Sequence, residues 1–102
     1  MNPLITAHQA ELTNLCLNYH VRRLELFGSA AQDNNESAIG DIDFLVDFGN
    51  LERVGYADTY FGLLESLQNL FNKPIDLVML SAVKNPYLLQ SIEKDRKTIY
   101  AA

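Results

Sequence analysis

The sequence predicts an α/β domain in which a small mixed β-sheet packs with α-helices. Three segments carry the apolar patterns of strands, and three others place apolar residues at helical spacing. Helical and extended segments alternate along the chain, which is the arrangement of a layered α/β domain. The strand segments are 21–27, 41–48 and 75–80, and the helical ones are 4–19, 56–72 and 86–95.

The first half of the chain contains a helix and a strand followed by a loop. Residues 4–19 place apolar side chains on one helical face and predict an amphipathic helix. Residues 21–27, VRRLELF, alternate as a strand does, and Gly28 and Ser29 end it. A short helix is expected over 29–32, and the turn-forming residues 33–40 predict a loop.

The second half contains two further strands, two helices and a tail. Residues 41–48, DIDFLVDF, favour a strand, and 56–72 carry a clear helical stripe that ends before Pro74. Residues 75–80, IDLVML, predict a third strand. Asn85 followed by Pro86 is typical of a helix start, and the tail KTIYA is expected to add a short edge strand.

Length and composition limit the class of protein. The chain has 102 residues, of which 48% are hydrophobic, so one globular domain spanning 1–102 is expected. A formal charge of −5 argues against direct nucleic-acid binding, which needs clustered Lys and Arg. Cys16 is the single cysteine, which excludes an internal disulfide and fits a reducing compartment. With neither a signal-peptide pattern nor an apolar run of about 20 residues, we expect a cytoplasmic protein without membrane contact.

The acidic residues are concentrated in one stretch. No Lys or Arg occurs between Arg23 and Arg53, whereas seven acids do. Such a stretch is costly in a folded domain unless the acids are solvated or bound to a cation. Solvation suits the acids of the predicted loop but not Asp41, Asp43 and Asp47, which lie in an apolar pattern. The seven acids are Glu25, Asp33, Glu36, Asp41, Asp43, Asp47 and Glu52.

Three aspartates are the candidate catalytic and metal-binding residues. Residues i and i+2 of a strand share a face, so Asp41 and Asp43 point together. Asp76 is a third acid in an otherwise apolar strand and joins the pair if the two strands are neighbours. Carboxylate oxygens are the ligands of Mg²⁺, and three carboxylates suit a site with two metal ions for phosphoryl transfer. A solvent-facing strand side remains the simpler alternative.

Gly28 and Ser29 are the candidate nucleotide-binding residues. Glycine allows a ligand to approach the backbone closely, and a helix that starts at Ser29 would present N–H groups to a phosphate. The dipeptide is a weak signal alone. Its combination with Asp41, Asp43 and Asp76 is a strong one.

The order of these motifs resembles a known family. Gly28-Ser29 is followed, after the eleven residues 30–40, by DIDFLVDF and later by PIDLVML. This pattern resembles the minimal nucleotidyltransferases of the DNA polymerase beta superfamily, from about Val21 to the C-terminal IEKDRKTIY. The resemblance implies the nucleotidyltransferase fold. It also implies that Gly28 and Ser29 hold the terminal phosphates, that Asp41 and Asp43 bind both metals, and that Asp76 completes the site and activates the attacking hydroxyl.

Within the superfamily, the short acidic chain looks like the MntA-type antitoxins of HEPN/MNT toxin–antitoxin systems. That resemblance implies a Mg²⁺-dependent antitoxin that transfers AMP from ATP to a tyrosine of a HEPN ribonuclease toxin, with which it would form a hetero-oligomer. The phosphate loop departs from the family pattern, because Gln32 stands where Arg is common and the loop is one residue longer. A non-catalytic antitoxin that acts by binding, and a small-molecule nucleotidyltransferase, therefore stay open as alternatives.

Other chemically suggestive residues are expected to be structural. Asp47 shares the face of Asp41 and Asp43 but lies farther along the strand. Cys16 and His20 are one helical turn apart without further ligands, so helix packing is favoured over a metal site. The aromatic stripe of 56–71, which includes Tyr60, favours core packing or a partner interface over base stacking.

Overall fold

The computed structural model describes residues 2–28, 31, 40–49 and 56–102, and the helices and strands in these ranges match most of the predicted elements. The helices are α1 (Pro3–Ala7), α2 (Gln9–Asn18), α3 (Tyr56–Phe71) and α4 (Pro86–Asp95). The strands are β1 (Arg23–Phe27), β2 (Ile42–Asp47), β3 (Ile75–Met79) and β4 (Lys97–Ala101), and a 3₁₀ turn spans Leu80–Ala82. The expected short helix at 29–32 and loop at 33–40 fall mainly outside the described residues.

The prediction of one N-terminal helix over 4–19 was wrong, because the helix is broken at His8. Asn2 caps α1 by accepting a hydrogen bond from the Leu4 N–H at 2.9 Å, and His8 leaves helical geometry with φ −111° and ψ 18°. The His8 ring packs 5.1 Å from the ring of Phe71. The break therefore accompanies a tertiary contact between the N-terminal helices and the end of α3.

The four strands form one mixed sheet in the order β3-β2-β1-β4. β1 is antiparallel to both β2 and β4, whereas β2 and β3 run parallel. The tail is an edge strand, as expected, and β3 is the edge strand on the opposite side. The start of β3 is tied to β2 by the Ile42 N–H, which donates to the Pro74 carbonyl at 3.1 Å.

One face of the sheet carries the main core. Alternate residues of the strands point toward α2 and α3 and are buried with the apolar side chains of those helices. On β2 these residues are Ile42, Phe44 and Val46, which are all fully buried. No helix in the described ranges is long and apolar enough to span a membrane.

The opposite face is covered in part by α4. Leu45 on β2 and Ile92 on α4 are both buried but lie outside the main core cluster. Glu25, the register partner of Leu45, is also buried. Arg96, which follows α4, forms an ion pair with Glu25, with 3.4 Å between Arg96 Nε and Glu25 Oε2. This ion pair joins β1 to the segment between α4 and β4.

We expect Arg96→Gln to lower the free energy of unfolding by about 1–3 kcal/mol, because the buried Glu25 carboxylate loses a charged partner. Urea denaturation of the variant beside the wild type measures this loss. Arg23→Gln is the matched control, since Arg23 is exposed on the same strand, and its effect should stay within about 0.5 kcal/mol. Equal stability of the two variants would contradict the structural role of the ion pair.

Candidate active site

A row of residues across three neighbouring strands places two of the predicted aspartates side by side. Asp43 on β2 is the register partner of Phe27 on β1 and of Asp76 on β3. Paired residues of adjacent strands point to the same face of a sheet. The condition set by the sequence, that the strands of Asp43 and Asp76 be neighbours, is therefore met.

Asp41 lies directly before β2, two residues from Asp43, at the same end of the sheet. Asp41 and Asp76 are exposed, whereas Asp43 is half-buried between them. The carboxylates of Asp43 and Asp76 lie where β2 and β3 begin and β1 ends, on the side of the sheet opposite to the main core. Solvent reaches the outer two, so a substrate can approach the site from outside.

Gly28 forms the β1 side of the site. Its φ of +71° is a conformation that favours glycine. A Cβ at this position would collide with the Oδ2 of Asp43 and would lie 3.2 Å from its Cγ. The backbone at Gly28 therefore packs directly against the central carboxylate, which is the close approach that a glycine allows. The Gly28 carbonyl also accepts a hydrogen bond from the Ala31 N–H at 3.1 Å.

The electrostatics of the row are unfavourable for a negative charge at its centre. Burial raises the pKa of the Asp43 carboxyl, and the negative charges of Asp76 and Asp41 raise it further. A cation bound nearby would therefore stabilise the ionised form of Asp43.

Two salt bridges that join described residues to each other lie away from the three aspartates. Arg22 pairs with Asp47, with 4.0 Å between Nη1 and Oδ2, and Arg96 pairs with Glu25. Asp47 also accepts a hydrogen bond from the Gly49 N–H at 2.8 Å, which fits the structural role expected for it. Neither salt bridge includes an aspartate of the row.

The donor set suits a divalent cation, although the side chains do not form a closed site. Three carboxylates at one end of the sheet offer the hard oxygen ligands that Mg²⁺ takes. Among the residues that the structure describes, no three Asp, Glu, His or Cys side chains are grouped closely enough to hold a metal ion. Ligation by all three aspartates therefore requires them to draw together, which a cation would favour by removing their repulsion.

Ser29 and Gln32 lie outside the described residues, so the structure does not locate the predicted phosphate contact of Ser29. The expectation for Cys16 and His20 is met only for Cys16, because His20 follows the end of α2 and has a φ of 57°. Cys16 is fully buried, and burial raises its pKa to about 12, which keeps the thiol protonated. His20 is exposed.

Two residues near the site were missed by the sequence analysis. The Tyr60 hydroxyl donates to the carbonyl of Leu77, the residue after Asp76, at 2.6 Å. Arg96 pairs with Glu25, which lies two residues from Phe27 on β1. Tyr60 belongs to a helical stripe that indicates packing, and the stripe does not show which group its hydroxyl would bond to. Arg96 is one of several charged residues near the end of α4, and its pairing with Glu25 on β1 is visible only in the folded structure.

A surface groove of about 410 Å³ lies away from this row, on the helical side of the molecule. It contains a single carboxylate and is lined by Glu11, Asn14, Leu15, Ser66, Asn69 and Leu70. Concavity alone would select this groove as the functional site. The chemistry selects the aspartates instead, because their side chains can bind cations and transfer protons.

We expect Asp43→Asn to stabilise the protein at pH 7 in buffer with EDTA. The folded-state pKa of Asp43 is raised, so ionisation opposes folding above that pKa, and the penalty disappears as the pH falls through it. The gain in the urea midpoint should therefore shrink between pH 7 and pH 4. Asp47→Asn is the matched control and should not raise the urea midpoint, since the Asp47 carboxylate pairs with Arg22 and accepts a hydrogen bond from the Gly49 N–H. A gain that does not change with pH would contradict this account of the row.

Solved structures share this fold. A candidate minimal nucleotidyltransferase superposes with a TM-score of 0.72 at 23% identity, covering 95% of both chains. The antitoxin in a complex described as tri-AMPylated Shewanella oneidensis HEPN toxin with MNT antitoxin is another neighbour. It superposes with a TM-score of 0.64 at 18% identity, over 96% of this chain and 73% of that one. The predicted α/β nucleotidyltransferase fold is thus confirmed.

The sequence comparisons agree with the fold. The candidate protein adenylyltransferase MJ0128 of Methanocaldococcus jannaschii is 40% identical over 77 residues, which cover 76% of this chain and 74% of that protein. Residues 10–102 match the family described as Polymerase beta, Nucleotidyltransferase. This match includes all three aspartates and most of the chain, and the chain therefore belongs to the polymerase beta nucleotidyltransferase family.

Proposed function

We propose that this protein is a Mg²⁺-dependent nucleotidyltransferase that acts as an antitoxin, transferring AMP from ATP to a tyrosine hydroxyl of a HEPN ribonuclease toxin. The row of Asp43 and Asp76, with Asp41 beside it and Gly28 packed against its centre, carries the proposal. Two comparisons support the choice of acceptor. The M. jannaschii relative is named as a candidate protein adenylyltransferase, and the S. oneidensis neighbour was solved with an AMPylated HEPN toxin.

The aspartates are the residues that would hold the metal. Asp41 and Asp43 would ligate two Mg²⁺ ions, and Asp76 would complete the site from the neighbouring strand. When bound, Mg²⁺ neutralises phosphate oxygens and stabilises the charge that develops on the attacking and leaving oxygens. Gly28 and Ser29 would hold the terminal phosphates of ATP through backbone N–H groups and the serine hydroxyl.

The transfer itself needs a nucleophile and an acceptor for its proton. The tyrosine oxygen of the partner attacks the α-phosphorus of ATP, the bond from that phosphorus to the bridging oxygen breaks, and pyrophosphate leaves. The Asp76 carboxylate takes the proton from the attacking hydroxyl. Asp76 suits this role because it is exposed at the edge of the row, where an incoming side chain can reach it.

An exposed site fits an acceptor that belongs to another protein. Asp41 and Asp76 are open to solvent and only Asp43 is half-buried. A tyrosine side chain presented by a partner can therefore approach the row without an opening motion of the described residues. The net charge of −5 would also favour a partner with a basic RNA-binding face.

The double variant Asp41→Asn/Asp43→Asn should lose AMP transfer by roughly 100-fold or more, because amides bind metal poorly and the developing charge stays unneutralised. The measurement is the intact mass of a HEPN protein encoded beside this chain, after incubation with Mg²⁺ and ATP. Whole AMP units are expected with the unaltered protein only. Asp47→Asn, on the same strand but paired with Arg22, is the control that should keep transfer.

A stable complex without any AMP gain would contradict catalysis and leave an antitoxin that neutralises its toxin by binding. AMP gain that persists in the double variant would contradict the role of the two aspartates. Transfer to a small molecule in place of the toxin would identify the third alternative.

Gly28→Ala should lower AMP transfer by about 10-fold to 100-fold, because the added methyl group displaces the Asp43 carboxylate. Gly49→Ala is the matched control, since Gly49 also has a positive φ, of 62°, but lies at the other end of β2 near Arg22. Both variants should cost about 1–3 kcal/mol of stability. Steady-state transfer rates and urea denaturation separate the two effects, and equal loss of transfer in both variants would show strain rather than a site effect.

A further inference from the structure

Among the described residues, the strand that carries Asp76 pairs with another strand on one side only. β3 is an edge strand with β2 as its single neighbour in the described sheet. An edge strand leaves some of its backbone groups without a strand partner, and it moves more easily than a central strand. The position of the Asp76 carboxylate relative to Asp43 therefore depends on whatever fixes the outer edge of β3.

The side chain of Tyr60 contacts this edge next to Asp76. Its hydroxyl donates to the Leu77 carbonyl at 2.6 Å, a short hydrogen bond to the residue that follows Asp76. The ring of Tyr60 packs against the main core and makes an edge-to-face contact with Phe61 at 5.1 Å. A side chain anchored in this way is a rigid support for the strand.

The hydroxyl of Tyr60 also feels the charge of Asp76. Burial raises the pKa of Tyr60, and the negative charge of Asp76 raises it further. With its pKa raised, the hydroxyl stays protonated at neutral pH and can donate its hydrogen bond to the Leu77 carbonyl.

We propose that Tyr60 is a positioning residue for Asp76: its hydrogen bond to the Leu77 carbonyl fixes the edge strand so that the Asp76 carboxylate lies beside Asp43 for metal binding. The inference rests on the proposed function, in which Asp43 and Asp76 share a divalent cation. A ligand held in place before the cation arrives loses less conformational freedom on binding, and therefore binds more tightly. Tyr60 itself does not touch the metal or the nucleotide in this account.

Tyr60→Phe is the informative variant, because it keeps the ring and removes the hydroxyl. Tyr19→Phe is the matched control, since the Tyr19 hydroxyl also forms a hydrogen bond to another element, to Ser66 of α3 with 3.1 Å between the oxygens. Mn²⁺ binding in the presence of ATP, followed by the electron paramagnetic resonance of free Mn²⁺ and compared with a protein-free titration at the same ATP concentration, reports on the site without a need for turnover. We expect the dissociation constant to rise about 10-fold in Tyr60→Phe and to change less than about 2-fold in Tyr19→Phe.

A double-variant cycle shows whether Tyr60 acts through Asp76. In an Asp76→Asn background, Tyr60→Phe should weaken Mn²⁺ binding no further, because the ligand that it positions is gone. A loss of the same size in that background would overturn the proposal, as would unchanged Mn²⁺ binding in Tyr60→Phe alone. Thermal unfolding in EDTA is a further check. A Tm of Tyr60→Phe far below that of Tyr19→Phe would show that the Tyr60 hydroxyl stabilises the whole fold, and would also overturn the proposal.

The outcome for the wild-type protein separates this inference from the proposed function. Wild-type binding of Mn²⁺ and transfer of AMP, with Tyr60→Phe unchanged in both, would leave the proposed function in place and remove the role of Tyr60. A wild-type protein that binds no Mn²⁺ in the presence of ATP would overturn both.

Discussion

The burial of the Asp43 carboxylate beside two further negative charges is the constraint on which the rest of the site depends. Asp43 is half-buried, lies in register with Asp76 and is two residues from Asp41, so each added negative charge makes its ionisation harder. A fold accepts such a cost where a cation repays it. Arg22 and Arg96 pair with Asp47 on β2 and Glu25 on β1, so neither of these two arginines neutralises Asp43.

The face and the neighbours of the candidate residues could be predicted because strand geometry has a period of two. The run DIDFLVDF puts Ile42, Phe44 and Val46 on one side, and the structure buries all three. The aspartates then take the other side without further information. A single acid in the apolar run IDLVML was equally visible, and the parallel pairing of its strand with β2 brought Asp76 to Asp43.

The contacts that support the site could not be predicted, because they join distant parts of the chain. Arg96 pairs with Glu25 and Tyr60 bonds to Leu77 only after the sheet order is set, and no local pattern encodes the reach of a side chain across elements. The break at His8 has the same origin. The sequence pattern continues through it, but the contact of the His8 ring with Phe71 belongs to the tertiary structure.

The unequal support of the two strands suggests how the site divides its work. Asp43 lies on a strand with a neighbour on each side and with a backbone contact at Gly28, so its position is fixed by the sheet. Asp76 lies on the edge strand and is exposed, so it can meet both a cation and an incoming hydroxyl. A metal ligand benefits from rigidity, whereas a proton acceptor must face the substrate. Placing the central ligand inside the sheet and the proton acceptor at its edge satisfies both needs, and because Asp76 would also ligate the cation, the proposed support of that edge by Tyr60 would serve metal binding.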